Sequence, residues 1–309
     1  HDEGQGSLKG RAMQNWFENK RFFLGTMLAP TVWFLLFFVA PMALVWGYSF
    51  GENDGLIGVK ITGTLKNYIH AFDPEILKVL RESVVLAAIA TVVCLVLAFP
   101  VAIAMTFASD KAKSWLLLLI MLPFWTNLLI RTYALIAVMR TEGLINHSFE
   151  WLHGIAVLVG IPVGDFTPMP LLYNKFAIVI GLVYVHLPFM VLPLYAALDR
   201  LDRSLIEASL DLGAGHLQTM FKVVAPLALP GIAAGLVITF IPAMGAYLTP
   251  DLLGGPNDLM IASLIERQFK RANDWPFGAA LSFLLMYITM IFFVLRSYFE
   301  AKGGKVAVH

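Results

Sequence analysis

The chain has 309 residues, 59% hydrophobic and only 14% charged, with a formal net charge of +1. A soluble domain is nearer half apolar and a quarter charged, so a mean hydropathy of +0.75 demands lipid around the protein; the near-zero charge excludes a nucleic-acid binder of the usual basic kind. The single cysteine, Cys94, excludes an internal disulfide and any cysteine-built metal or redox motif, and it reads as a small core residue.

Taken in chain order, six apolar runs reach the roughly 20 residues needed to cross about 30 Å of hydrocarbon: 22–50, 78–108, 115–139, 176–198, 223–248 and 277–299. The first opens on an interfacial stretch, with Trp16, Phe17, Phe22 and Phe23 beside Lys20 and Arg21. It is too long for a signal-peptide core and no small-residue cleavage site follows it, so it is expected to stay in the membrane. The expected organisation is an arm over 1–21, a six-helix domain over 22–299 and a tail over 300–309.

Basic residues choose the orientation. Lys9, Arg11, Lys20 and Arg21, then Lys111 and Lys113, then Arg200, Arg203 and Lys222, then Arg296, Lys302 and Lys305 all fall on one face, close to span ends. That face is expected to be cytoplasmic, with both termini on it. The opposite loops, 51–77, 140–175 and 249–276, are longer and hold the Gly, Pro, Asn and Asp of ordered turns. A weak amphipathic pattern runs through 141–153 around Leu144, Ile145, Phe149 and Leu152.

The fourth and fifth spans are rich in helix breakers: Pro188 and Pro193 in one, and Pro226, Pro230, Gly231, Gly235, Pro242 and Gly245 in or beside the other. Discontinuous helices recur where transporters hold cargo, while ordinary packing is the competing reading, since Gly and Pro are common in membrane helices. Arg131 reads as a cation reaching toward the interface, and His186 as the donor or acceptor of an interhelical hydrogen bond.

Between the fourth and fifth spans lies a polar interruption, 199–222. Ser204-Leu205-Ile206-Glu207 fits a capping box, with the serine capping a helix and the glutamate reaching back to its amide. Gly213 suits the left-handed residue that ends such a helix. A second short helix is expected over 216–222. The product is an elbow of two short cytoplasmic helices, of a kind that can lie in a partner's groove.

Glu207-Ala208-Ser209-x-x-x-Gly213, followed by Val223-x-Ala225-Pro226, resembles the EAA signature of permease subunits of bacterial ATP-binding-cassette importers, with Ser209 in place of the second alanine and Ala225 in place of a leucine. The strings Leu122 to Arg131, Gly181 to Tyr184, Leu187 to Met190, Asp211 to Ala214, Ile241 to Gly245, Asp251 to Gly255 and Asp274 to Gly278 resemble the first of the two permeases of spermidine/putrescine importers. The resemblance implies an all-α membrane protein with six transmembrane helices, the type I importer (MetI-like) permease fold, and cytoplasmic coupling helices in a bacterial inner membrane. It implies a second permease subunit, two ATPase subunits that bind the ATP and Mg, and a periplasmic polyamine-binding protein, with no cofactor held by this chain. Glu207, Ala208, Ser209, Asp211, Leu212 and Gly213 are then the expected ATPase-coupling residues.

A flexible polycation needs carboxylates and aromatic faces along its route. The candidates are Trp125, Tyr184, Tyr247, Asp251, Asp274 and Trp275. Each has a structural alternative: the aromatics as membrane anchors, Asp251 as a turn cap, and Asp274 as the cap of the last span. Another small amine-containing solute is a competing cargo. A gradient-driven secondary transporter would need a carboxylate near the middle of a span, and none is seen there. An intramembrane enzyme would need a nucleophile–base set or metal ligands, and Cys94 and His186 show no such spacing; a phosphate-binding loop is also missing, so ATP hydrolysis is not expected of this chain.

Overall fold

The computed structural model describes residues 20–55, 58–160 and 164–303. They form two compact units: Phe72–Arg271, and a terminal unit made of the described parts of His1–Ala71 and Ala272–His309. Of the predicted arm 1–21 only residues 20–21 are described, and of the tail 300–309 only residues 300–303.

In the terminal unit, α1 (Lys20–Phe34), a π turn (Leu35–Val39) and α2 (Ala40–Tyr48) follow one another directly. Gly25–Tyr48 is long and apolar enough to cross a membrane, and none of its apolar window is buried within the chain. The π turn has a local cause. The Ala40 amide bonds to the Leu35 carbonyl, one residue further back than in an α-helix. This widens the backbone just before Pro41, whose ring clashes with the preceding turn of a regular helix.

Beyond α2 an antiparallel hairpin joins β1 (Gly51–Asp54) to β2 (Gly58–Ile61), with Gly51 opposite Ile61. These are the only strands among the described residues, and they are the one departure from the all-α expectation. The short helix α3 (Lys66–His70) pins the hairpin, since Asn67 Nδ2 donates to the carbonyls of Ser49 and Gly51 at 3.1 and 2.9 Å. The C-terminal helix, Trp275–Gly303, belongs to the same unit: Trp46 Nε1 donates to the Tyr287 hydroxyl at 2.9 Å, and the His70 and Phe277 rings lie 4.5 Å apart.

The larger unit comprises α4 (Pro74–Phe107), α5 (Asp110–Met121), a 3-10 turn (Leu122–Trp125), α6 (Leu128–Met139), α7 (Leu144–Leu158), α8 (Lys175–Leu198), α9 (Arg203–Asp211), α10 (His216–Thr219), α11 (Leu229–Met244), α12 (Leu248–Leu253) and α13 (Ile261–Arg267). Helix α7 occupies the segment whose sequence shows the weak amphipathic pattern. Its buried Asn146 clamps the chain that follows, donating to the Met169 carbonyl at 3.0 Å and accepting from the Met169 amide at 2.9 Å.

The core lies between α4, α8 and α11. Ala87, Ala90, Cys94, Ala98 and Ala102 form a fully buried stripe on α4, and Leu182, Met190 and Leu194 of α8 belong to the same core. Small residues let membrane helices approach closely where no water drives them together. Gly235 and Gly231 of α11 serve the same end. A Cβ at Gly235 would stand 2.7 Å from Met190 Sδ, and one at Gly231 would meet the Ala197 methyl and stand 2.8 Å from the Pro193 carbonyl. Both are contact points inside a continuous helix, not the breaks their residue type suggests.

Three helices are long and apolar enough to cross a membrane, and up to five spans result if each sharply bent pair is one. The expectation of six is thus met only in part among the described residues, while the C-terminal helix, Trp275–Gly303, covers the sixth predicted run, 277–299. Of the two spans rich in helix breakers only the fifth is broken, between Pro226 and Pro230, and a further break falls in the third. Helix α8 runs unbroken through Pro188 and Pro193. The third span bends by 98° between Trp125 and Leu128, and the fifth by 69° between Leu227 and Leu229. At the first break Asn127 leaves the helix and caps α6, its Oδ1 accepting from the Leu129 amide at 2.8 Å. At the second, a π turn (Met220–Val224) again precedes a proline, with the Ala225 amide bonding back to the Met220 carbonyl ahead of Pro226.

Candidate functional site

The polar interruption folds into the predicted elbow, with one change at its start. The residue that caps α9 is Asp202, whose Oδ1 accepts from the Ser204 amide at 3.0 Å. Ser204 lies within the helix, so the expected capping box does not form, and Glu207 is not held back against the helix start. Its side chain is exposed, as are those of Ala208 and Asp211. The Asp202 carboxyl is held below its ordinary range by the Ser204 amide and hydroxyl.

Helix α9 ends at Gly213, which adopts φ +85°, a conformation that carries a steric penalty for residues with a Cβ. Ser209 Oγ and Thr219 Oγ1, 2.9 Å apart, tie α9 to α10 across the elbow. Beneath lies an open groove of about 730 Å³ lined by Leu205, Ala208, Leu212, Gly213, Val223 and Pro226, among others. Around it Leu212 is 88% exposed, Leu217 76% and Phe221 70%. Large apolar side chains on a polar segment, beside an apolar groove, form the kind of patch found at interaction sites.

The elbow is also fastened to the rest of the unit. Lys113 Nζ lies 2.8 Å from Asp199 Oδ1. Arg203 Nη2 donates to the Thr106 carbonyl at 3.1 Å, and its guanidinium stands 5.8 Å from the Phe107 ring. The hydrogen bond from Lys113 holds the Asp199 carboxyl below its usual range, and the same bond raises Lys113. Sequence reading misses these links because the partners are 86 and 97 residues apart.

The cargo candidates are partly dispersed. Trp125, at the break in the third span, is 81% exposed, and Tyr184 is exposed on α8. Tyr247 and Asp251 come together at α12, where both already face cations of the chain. Lys270 Nζ lies 5.7 Å from the Tyr247 ring centroid, and Asp251 pairs with Arg267 at 3.1 Å and Arg271 at 3.9 Å. Lys270 is itself bonded to Glu266 at 3.0 Å, which raises its pKa. In the terminal unit Asp274 accepts from the Phe277 amide at 3.1 Å, which is the capping alternative, and Trp275 is half-exposed.

Of the two polar groups singled out within spans, His186 departs from expectation. His186 Nδ1 meets the Leu182 carbonyl of its own helix at 2.8 Å, not a neighbouring helix. Arg131 lies 6.0 Å from the Phe124 ring, with its Nε buried and without a hydrogen-bond partner among the described residues, so it packs at the break in the third span. Among the described residues no cluster of three or more His, Cys, Asp or Glu side chains is able to hold a metal.

Residues 19–302 match the model of the binding-protein-dependent transport system inner membrane component. The chain belongs to this family. It is a bacterial ABC-importer permease subunit, the non-catalytic component of its transporter, multi-pass in the inner membrane. The permease is 41% identical over 256 residues to the spermidine/putrescine transport system permease protein PotB of Escherichia coli K12, covering 83% of this chain and 90% of that one. It is 36% identical to the PotB of Haemophilus influenzae, covering 89% and 93%. It is 32% identical to the inner membrane ABC transporter permease protein YdcU of Escherichia coli K12, covering 86% and 85%. Among solved structures, a chain of the bacterial alginate ABC transporter, in complex with its alginate-bound periplasmic protein, superposes with a TM-score of 0.70 at 17% identity, covering 89% of the permease and 93% of that chain. At that identity the likeness is one of fold.

Proposed function

We propose that this permease translocates polyamines such as spermidine and putrescine across the inner membrane by alternating access, driven by separate ATPase subunits. One observation carries the cargo class: identity of 41% with a permease named for spermidine and putrescine, along most of both chains. The full arrangement is the MetI-like one with six spans, both termini and residues 199–222 on the cytoplasmic side. A second permease subunit completes the pathway, two ATPase subunits bind the ATP and Mg, and a periplasmic polyamine-binding protein delivers cargo.

In this reading the elbow of α9 and α10 is the coupling element. Glu207, Ala208, Ser209, Asp211, Leu212 and Gly213 meet the ATPase subunit, supported by the groove and by the exposure of Leu212, Leu217 and Phe221. Docked ATPase subunits that bind ATP favour one of two states, and the chain shifts between inward and outward access as each ligand selects its state. Trp125, Tyr184, Tyr247 and Trp275 offer aromatic faces to the cargo's ammonium groups, each contact contributing about 0.5–2 kcal/mol. Asp251 and Asp274 are the candidate carboxylates. Such weak sites in series suit transport, since cargo must also leave.

The test is uptake of radiolabelled spermidine into proteoliposomes holding the purified complex, with ATP inside and the binding protein outside. ATP-dependent accumulation that unlabelled putrescine competes away is the expected result. If the binding protein binds neither spermidine nor putrescine in calorimetry, the cargo class is wrong, and another small amine becomes the reading to pursue.

A further inference from the structure

The elbow is joined covalently only to α8, through residues 199–202, and to α11, through a π turn and a 69° bend. A push on α9 delivered through those links alone would pivot the elbow rather than move the bundle. Two cations prevent this. Arg203, at the start of α9, donates to the carbonyl of Thr106, one of the last four residues of α4. Carbonyls there have no partner within their own helix, and a cation suits the negative end of the helix dipole. The Arg203 guanidinium also stands 5.8 Å from the Phe107 ring. Lys113, on the first turn of α5, grips Asp199 at the C-cap of α8. Ile206, one turn into α9, packs against the main core alongside Met220.

We propose that Arg203 and the Lys113–Asp199 pair are positioning residues for transport. They clasp the coupling elbow to the cytoplasmic ends of α4 and α5, so that motion imposed on the elbow reaches α4, the longest helix and the spine of the core. Arg203 reaches from the start of α9 to the end of α4, and Lys113 holds the link that leads into α9, while Leu212 and the groove are open to a partner. Docking and transmission are therefore carried by different residues. The proposal rests on residues 199–222 being the ATPase-docking segment, and its failure is separable from the failure of that reading.

The experiment uses the whole complex in proteoliposomes and measures three quantities: ATPase subunit retained on purification, ATP hydrolysis stimulated by the binding protein, and spermidine accumulated per ATP. Arg203→Met keeps the apolar stem and removes the donor; Asp199→Lys breaks the pair. Both are expected to retain the ATPase subunit and to hydrolyse ATP, while spermidine per ATP falls about fivefold or more. The reversed pair, Lys113→Asp with Asp199→Lys, restores the ratio, which a misfolded protein would not do. An unchanged ratio in Arg203→Met combined with Asp199→Asn overturns the proposal, as does a reversed pair that fails to recover. Loss of the ATPase subunit in these variants overturns it too, by moving the residues into the docking face. Leu212→Asp addresses the other reading: retention of the ATPase subunit in that variant would remove the elbow as docking segment, whatever the clasp does.

Discussion

Asp251 in the first turn of α12 and Arg267 at the end of α13 hold one another, with the guanidinium Nη2 donating to Asp251 Oδ1 at 3.1 Å and both side chains no more than a third exposed. Arg267 Nε is buried and has no hydrogen-bond partner among the described residues, so the pair already carries one unsatisfied donor. Asp251→Asn is therefore expected to lower stability by roughly 1 kcal/mol and to reduce the yield of assembled complex. Arg267→Gln in the same protein should recover part of the yield. Thermal melting of the purified complex decides between this and a cargo role, in which Asp251→Asn would raise the KM for spermidine uptake with assembly unchanged.

Glu207 is the cleaner probe of docking, because Asp202 does the capping. Glu207→Arg should release the ATPase subunit on purification while leaving helix content and melting temperature as they are. Asp202→Ala should do the reverse: the melting temperature falls as the cap is lost, and the ATPase subunit stays bound. A Glu207→Arg protein that melts early would return the side chain to a structural role.

Gly213 stands at φ +85° with open space where a Cβ would point. The cost of substitution is then conformational and not steric. Gly213→Ala should destabilise the elbow by about 1 kcal/mol, whereas Gly213→Asn, which tolerates the left-handed region, should cost less. Protease cleavage within 199–222 reads the difference, with the alanine variant cut faster.

Gly235→Ala tests the core contact between α8 and α11. The new methyl must displace Met190 Sδ, which is the flexible part of its side chain, so the expected cost is about 1 kcal/mol. Gly231→Ala meets the Pro193 carbonyl and the Ala197 methyl, which move less readily, and should cost about 2–3 kcal/mol. Equal melting temperatures for the two variants would contradict this packing.

The Lys113–Asp199 pair fixes a pH dependence. Asp199 is held below its ordinary value, so its contribution is fully present above the ordinary carboxylate pKa of about 4. It is lost as pH falls through the lower, folded value. Lys113 is held above its ordinary value, so its contribution is present at neutral pH and lost only on the alkaline side of about 10. Spermidine accumulated per ATP should thus be flat from mildly acid to mildly alkaline pH. A titration of that ratio near neutrality would assign the coupling to another group.

The elbow was legible in the sequence because its signals are local: a polar run between apolar ones, an acidic and small-residue pattern, and a glycine followed by a proline at a set distance. The capping residue was misassigned because Asp202 and Ser204 are both good caps two positions apart, and only the backbone at Asp202, extended at ψ 115°, selects between them. The break in the fifth span follows its prolines, but the fourth span stays continuous and the third breaks for a related reason. Pro188 and Pro193 kink a helix only when the packing lets them, and in α8 the surrounding core holds the helix continuous. Trp125 to Leu128 breaks because Asn127 supplies the new helix with a cap.

Composition and apolar run length by themselves fixed that this chain lives in a membrane, that its spans are helical, and that residues 199–222 stand apart as a polar elbow. Those properties depend on residues a few positions apart and on the cost of leaving backbone groups unpaired in lipid. Tertiary structure alone decided that Asp251 is already paired, that Gly231 and Gly235 are contact points, and that Arg203 and Lys113 clasp the elbow to α4 and α5. Each of these joins residues far apart in the chain, whose meeting is set by how the helices pack and leaves no mark in the local pattern.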